Sequence, residues 1–103
     1  MKAVVHSFYK SVAATSSEVD TYTPANGKKF WFKLVGGNAA RNSEVNVKIS
    51  YGTQVIFATH GDSEVKGKDT VVGDGSTQIK ISLLNDSTST ETIGGYYEGI
   101  EEI

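Results

Sequence analysis

Apolar and polar residues alternate most cleanly between Glu44 and Ser50, where Val45, Val47 and Ile49 are interleaved with Asn46, Lys48 and Ser50. A period of two is that of a strand with one face buried. Tyr51-Gly52 follows, and then Val55, Ile56, Phe57 and Ala58 in unbroken succession. Glycine takes the positive φ that a tight hairpin demands. A strand that is apolar on both faces is one covered on both sides. The middle of the chain therefore predicts a β-hairpin centred on Tyr51-Gly52, with its second arm enclosed.

Similar patterns recur on either side. Val4, Val5, Phe8, Tyr9 and Val12 predict a first strand. Val5, Phe8, Tyr9 and Val12 also satisfy helical spacing, but the Ser, Thr and Val around them favour a strand. Ala13 to Ser17 reads as a loop. Glu18 to Thr23 reads as a strand that stops at Pro24, because proline has no N–H to give a ladder. Asn26-Gly27 is a hairpin signal. Lys28 to Val35 is the most hydrophobic strand, with Phe30, Phe32 and Leu34 on one face and Trp31, Lys33 and Val35 on the other. Gly36-Gly37-Asn38 predicts a bulge or turn, and Ala39 to Ser43 a connection. Beyond the hairpin, His60 to Lys68 reads as a polar loop, Thr70 to Val72 as a short strand and Gly73-Asp74-Gly75-Ser76 as a turn. Gln78 to Asn85 alternates again, with Ile79, Ile81 and Leu83 on one face. After a polar turn at Asp86 to Thr90, Thr92 to Ile103 predicts a last strand kinked at Gly94-Gly95 and Gly99.

About eight short strands with Gly, Asn and Asp turns, and no helical layer to cover them, must pack sheet on sheet. The expected fold is all-β: a single-domain antiparallel β-sandwich over residues 1–103, jelly-roll-like. A seven-stranded immunoglobulin-type sandwich is the alternative.

Composition narrows the function more than the fold. The 103 residues suffice for one core. With no cysteine there is neither a disulfide nor a thiolate metal site. The net charge of −2 gives no reason to expect a nucleic-acid partner. Residues 1–33 carry +3 and residues 34–103 carry −5, an asymmetry that suits either solvated faces or a meeting of copies. The opening MKAVVHSFYKSV lacks the apolar run of a signal peptide. No stretch approaches the roughly 20 apolar residues that span a bilayer, so no membrane partner is expected.

Candidate chemistry is sparse. His6 and His60 are the only histidines, and neither a His-x-His pair nor His-Glu-x-x-His occurs. No Gly-x-Ser-x-Gly elbow is present. Asp62, Glu64, Asp69 and Asp74 offer oxygen ligands, but without calcium-loop spacing they read as solvated carboxylates. Gly73-x-Gly75 lacks the helix that a phosphate cradle needs. No catalytic residue, metal or cofactor is expected. Tyr9, Tyr22, Trp31, Tyr51, Tyr96 and Tyr97 are either core filler or a face for stacking sugars. Trp31 and Val35 alternate away from Phe30 and Phe32, and Tyr97 away from Tyr96. Trp31, Val35, Tyr96 and Tyr97 are therefore the expected interface residues, and a homo-oligomer, with a trimer favoured, is the expected state.

Three stretches together resemble a known group: Thr21 to Phe32 (TYTPANGKKFWF), then Gly75 to Ile79 with Leu83 to Asp86, then Gly94 to Gly99 (GGYYEG). They resemble the small jelly-roll virion proteins of tailed bacteriophages, of the decoration, head-stabilising or tail-accessory type. The resemblance covers roughly residues 20 to 101. It implies a non-enzymatic, symmetric module that docks on a capsid or tail protein, located in the virion and assembled in the host bacterial cytoplasm. A carbohydrate- or receptor-binding β-sandwich module is the alternative.

Overall fold

The structure, a computed structural model, describes residues 1–40 and 43–103. Arg41 and Asn42, part of the predicted connection between Ala39 and Ser43, lie outside the described residues. Among the described residues nine strands follow in order: β1 (Lys2–Val12), β2 (Ser16–Tyr22), β3 (Lys29–Asn38), β4 (Val45–Tyr51), β5 (Gln54–Thr59), β6 (Ser63–Lys66), β7 (Thr70–Val72), β8 (Ile79–Asn85) and β9 (Glu91–Glu101). No helix long and apolar enough to cross a membrane occurs among the described residues.

Two antiparallel sheets result. One has the order β1-β9-β3-β6, with β7 beside β6 on the same edge of β3. The other has the order β2-β8-β4-β5. The chain passes from sheet to sheet at most of its connections, and the outer strands β1, β2 and β6 pair with strands distant in sequence, while β5 pairs with β4. That is the jelly-roll arrangement of two four-position sheets. The ninth strand arises because β6 and β7 share one edge position.

The core is where the period-two patterns point. Val47 and Ile49 of β4 are opposite Leu83 and Ile81 of β8, and Val45 and Ile79, opposite Asn85 and Tyr51, extend the same face; all six apolar residues are fully buried. Phe30, Phe32, Ile93 and Tyr97 cover them from the other sheet. The first strand is extended, as its β-branched and aromatic residues favour. It pairs with β9 along its whole length, Lys2 opposite Glu101 and Val12 opposite Glu91.

Several expectations are corrected. The hairpin turns at Gly52-Thr53, since Tyr51 pairs with Gln54. Gly52 has φ +59° and Thr53 has no positive φ, which is the type II′ pattern. The arm Val55 to Ala58 is not enclosed: β5 is the edge of its sheet and Val55 is exposed. Asn26-Gly27 does form a turn, closed by Lys28 N–H donating to the Ala25 carbonyl at 3.1 Å. It carries the chain from one sheet to the other rather than closing a hairpin, and so does the turn at residues 73–76. The segment His60 to Lys68 contains β6, a short edge strand too polar to signal itself.

The largest correction concerns β3. The strand continues through Gly36-Gly37-Asn38, and its bulge lies at Lys33, between Phe32 opposite Gly99 and Leu34 opposite Glu98. One extra residue reverses the alternation. Phe30 and Phe32 face inward before the bulge, Val35 and Gly37 after it. Val35, expected at an interface, is a core residue, and Leu34 is turned outward and half-buried.

Two buried polar side chains tie the ends. Asn85 donates to the Val12 carbonyl (3.0 Å) and the Ser89 carbonyl (2.9 Å), and accepts from the Ser87 amide and hydroxyl. This joins the β1–β2 connection to the β8–β9 turn. Glu101 accepts from the Tyr22 hydroxyl (2.5 Å) and the Ala25 N–H (3.1 Å), and pairs with Lys2 at 3.3 Å. It thereby links the end of β9 to the opposite sheet.

Candidate functional site

The outer face of the β1-β9-β3-β6 sheet carries two rows of side chains built on glycines. In one row Tyr9 of β1 is opposite Gly94 of β9, which is opposite Asn38 of β3. In the other, Tyr96 of β9 is opposite Gly36 of β3, which is opposite Glu64 of β6. Gly94 and Tyr96 are two residues apart on β9, so the rows lie about 7 Å apart at the rise of a strand.

The glycines decide how the rings lie. A Cβ on Gly94 would overlap Cδ2 and Cε2 of Tyr9, and a Cβ on Gly36 would overlap Cζ and the hydroxyl of Tyr96. Each ring therefore occupies the space a side chain would take, laid down across the neighbouring strand. The Tyr96 ring crosses β3 and its hydroxyl reaches β6, where it donates to Glu64 Oε2. That hydrogen bond, together with partial burial, pushes the Tyr96 phenol up to about 12. The ring is thus fixed at both ends, by Cβ on β9 and by the carboxylate on β6.

These residues wall an open groove of about 350 Å³, lined by Tyr9, Asn38, Asp62, Ser63, Glu64 and Tyr96. Tyr9 is 51% exposed and Tyr96 half-buried, so both rings present surface to solvent. The polar lining is an amide, a hydroxyl and two carboxylates. Flat aromatic surface beside hydrogen-bonding groups suits a flat, amphipathic ligand.

A second depression on the same face, of about 270 Å³, is lined by Met1, Trp31, Lys33 and Ile100. Trp31 faces outward and is half-buried there. Of the four residues expected at an interface, Trp31 and Tyr96 are on this outer face and in separate depressions. Tyr97 is corrected along with Val35: it is fully buried. Its ring stacks on His6 at 5.3 Å and meets Phe30 and Phe32 edge-on. Its hydroxyl makes no hydrogen bond with the described residues, and burial holds the phenol well above the ordinary tyrosine range. Tyr96 and Tyr97 are adjacent on a strand, and only one of them can face out.

The remaining candidates are engaged locally. His60 Nδ1 is 2.6 Å from the Val45 carbonyl and His6 Nδ1 is 3.3 Å from Asp20. Asp74 accepts from the Ser76 and Thr77 amides and the Thr77 hydroxyl, which hold its carboxyl well below the usual range. Among the described residues no three His, Cys, Asp or Glu gather as metal ligands would.

Asn38, Ser63, Gly36 and Gly94 were not legible as site residues in the sequence. Glycine inside a strand does mark a close approach, but which ring approaches depends on pairing between residues sixty positions apart for Gly36 and Tyr96 and eighty-five for Tyr9 and Gly94.

No family model matches the chain, and no curated protein sequence matches it. Among solved structures it is similar to the Aeromonas hydrophila periplasmic inhibitor of g-type lysozyme, PliG. The identity there is 13% and the TM-score 0.48, over 95% of this chain and 86% of that one. It is similar to the CBM36-1 domain of a multidomain xylanase from the hindgut metagenome of Trinervitermes trinervoides, at 13% identity and TM-score 0.44, over 96% and 97%. It is also similar to the Drosophila NLP core, at 16% identity and TM-score 0.43, over 91% and 97%. At TM-scores below 0.5 these likenesses carry no functional assignment, and the fold rests on the strand order and register above.

Proposed function

We propose that this protein is a carbohydrate-binding β-sandwich module, with the Tyr9–Tyr96 groove as its glycan site. One observation carries the reading: two tyrosine rings laid flat over cross-strand glycines, at the wall of an open groove with amide, hydroxyl and carboxylate groups. Sugar rings present apolar C–H faces to aromatic planes and hydroxyls to polar neighbours, and this groove supplies both. Its openness suits a stretch of oligosaccharide better than an enclosed small molecule.

The test is binding of a panel of soluble oligosaccharides, measured by calorimetry, to the wild type and to Tyr9→Ala. Removing a central aromatic contact costs about 2 kcal/mol, a loss of roughly 30-fold in affinity. The far-ultraviolet circular dichroism should be unchanged, since Tyr9 is exposed. Unaltered glycan affinity in Tyr9→Ala and in Tyr96→Ala would remove the groove as the site.

A second reading draws on Trp31. Its depression is largely apolar and sits beside the exposed Val5 and the half-buried Leu34, a surface suited to another protein. On this reading the module packs against copies of itself, or against a capsid or tail protein of a phage virion.

A further inference from the structure

We infer that the groove selects glycans bearing protonated amino groups, of the glucosamine type, over neutral and anionic ones. This rests on the glycan reading and names the ligand class within it. The lining holds two carboxylates, Asp62 and Glu64, and no cationic side chain. Asp62 is exposed and makes no hydrogen bond or ion pair with the described residues. Glu64 is engaged by Tyr96 through Oε2, and Oε1 makes no hydrogen bond with the described residues. A lysine of the same face, Lys66, is two residues further along β6 and outside the lining. Lys10 is turned to Glu18 at 3.6 Å.

The rings act in the same direction. An aromatic face carries negative potential and attracts a cation within about 6 Å of its centre. Tyr96 keeps its proton until about 12, so the ring presents a neutral phenol rather than a phenolate at ordinary pH. A sugar stacked on these rings with an ammonium substituent would have that charge near a ring face and near Asp62 or Glu64. A uronic acid or sulfated sugar would bring like charge against the same carboxylates.

The test compares three short oligomers in calorimetry with the intact protein: oligomeric glucosamine with its amines protonated, its N-acetylated counterpart and oligogalacturonate. The glucosamine oligomer is expected to bind roughly 3- to 10-fold more tightly than the acetylated one, a size set by partly screened charge pairs. The anionic oligomer should bind weakest. The preference should shrink at high salt and in Asp62→Asn and Glu64→Gln. Equal affinity for the acetylated oligomer, or tighter binding of the anionic one, overturns this inference and leaves the glycan reading standing. Binding of none of the three overturns this inference, and loss of every other oligosaccharide in the panel removes the glycan reading with it. A lysine oligomer of matched charge serves as control. Displacement of the glucosamine oligomer by it at equal concentration also overturns the inference, since bare charge would then suffice without the rings.

Discussion

Glu101 holds a carboxylate at 1% exposure, where an unpaired charge would be costly. Burial pushes its carboxyl up, but donors from Tyr22, Ala25 and Lys2 outweigh this and leave it below the ordinary glutamate value. A depressed folded-state pKa stabilises the fold fully above the unfolded value of about 4.3. That stabilisation is lost as pH falls through the folded value. Glu101→Gln removes the charge and turns an amide N–H₂ toward a donor. It is expected to cost about 2 kcal/mol near neutral pH and to flatten the acid limb of stability against pH. Urea midpoints across pH measure both, and an unchanged acid limb would show that another group governs it. Gly52 is a second single-residue control. At φ +59°, with Thr77 Cγ2 at 3.0 Å from where a Cβ would stand, Gly52→Val should cost roughly 1–3 kcal/mol. A domain of this size would then melt several degrees lower. An unchanged melting temperature would mean the turn adopts another shape.

At the scale of elements, the bulge in β3 is the device that matters most. Without it Val35 would face solvent and Leu34 the core, and Gly36 would not lie beneath Tyr96. Lys33 is the extra residue and its side chain is exposed, so what counts is that a residue is there, not which one. Lys33→Ala should change stability by less than about 0.5 kcal/mol. Deleting Lys33 forces one half of β3 into the wrong register and is expected to abolish cooperative unfolding in urea. A deletion variant with a wild-type midpoint would show that the strand tolerates either register. The alternation in the sequence marked this strand correctly but placed its irregularity at Gly36-Gly37, where glycine suggested it. Those glycines serve the tyrosine and the core instead.

For the whole molecule, the outer face of the β1-β9-β3-β6 sheet is the surface on which a partner would act. Trp31, Met1, Ile100 and Val5 leave apolar surface there, and a stable homomeric contact needs about 800 Å² on each subunit. If copies pack through this surface, light scattering after gel filtration should give a multiple of 11.0 kDa, three being the favoured number, and Trp31→Lys should return the monomer. A wild-type monomer at tens of micromolar would leave the depression to a different partner or to solvent. The basic start and acidic remainder of the chain do not separate into two faces. β1 and β9 are paired along their length, and Lys2 meets Glu101 across them.

The strand class, the inward residues of β4 and β8, the glycine of the central turn and the lack of cysteine chemistry were legible along the chain, because each is local: a period, a backbone preference or a count. Which sheet each strand joined became visible in the folded chain alone, since a turn such as Asn26-Gly27 looks the same whether it closes a hairpin or crosses between layers. Only the tertiary structure separated Tyr96 from Tyr97 and Trp31 from Val35, because one inserted residue or one shared strand sets which neighbour faces out. The groove is wholly of this second kind. Tyr9, Gly36, Glu64 and Tyr96 come from four strands, and what brings them together is pairing register, which no local pattern encodes.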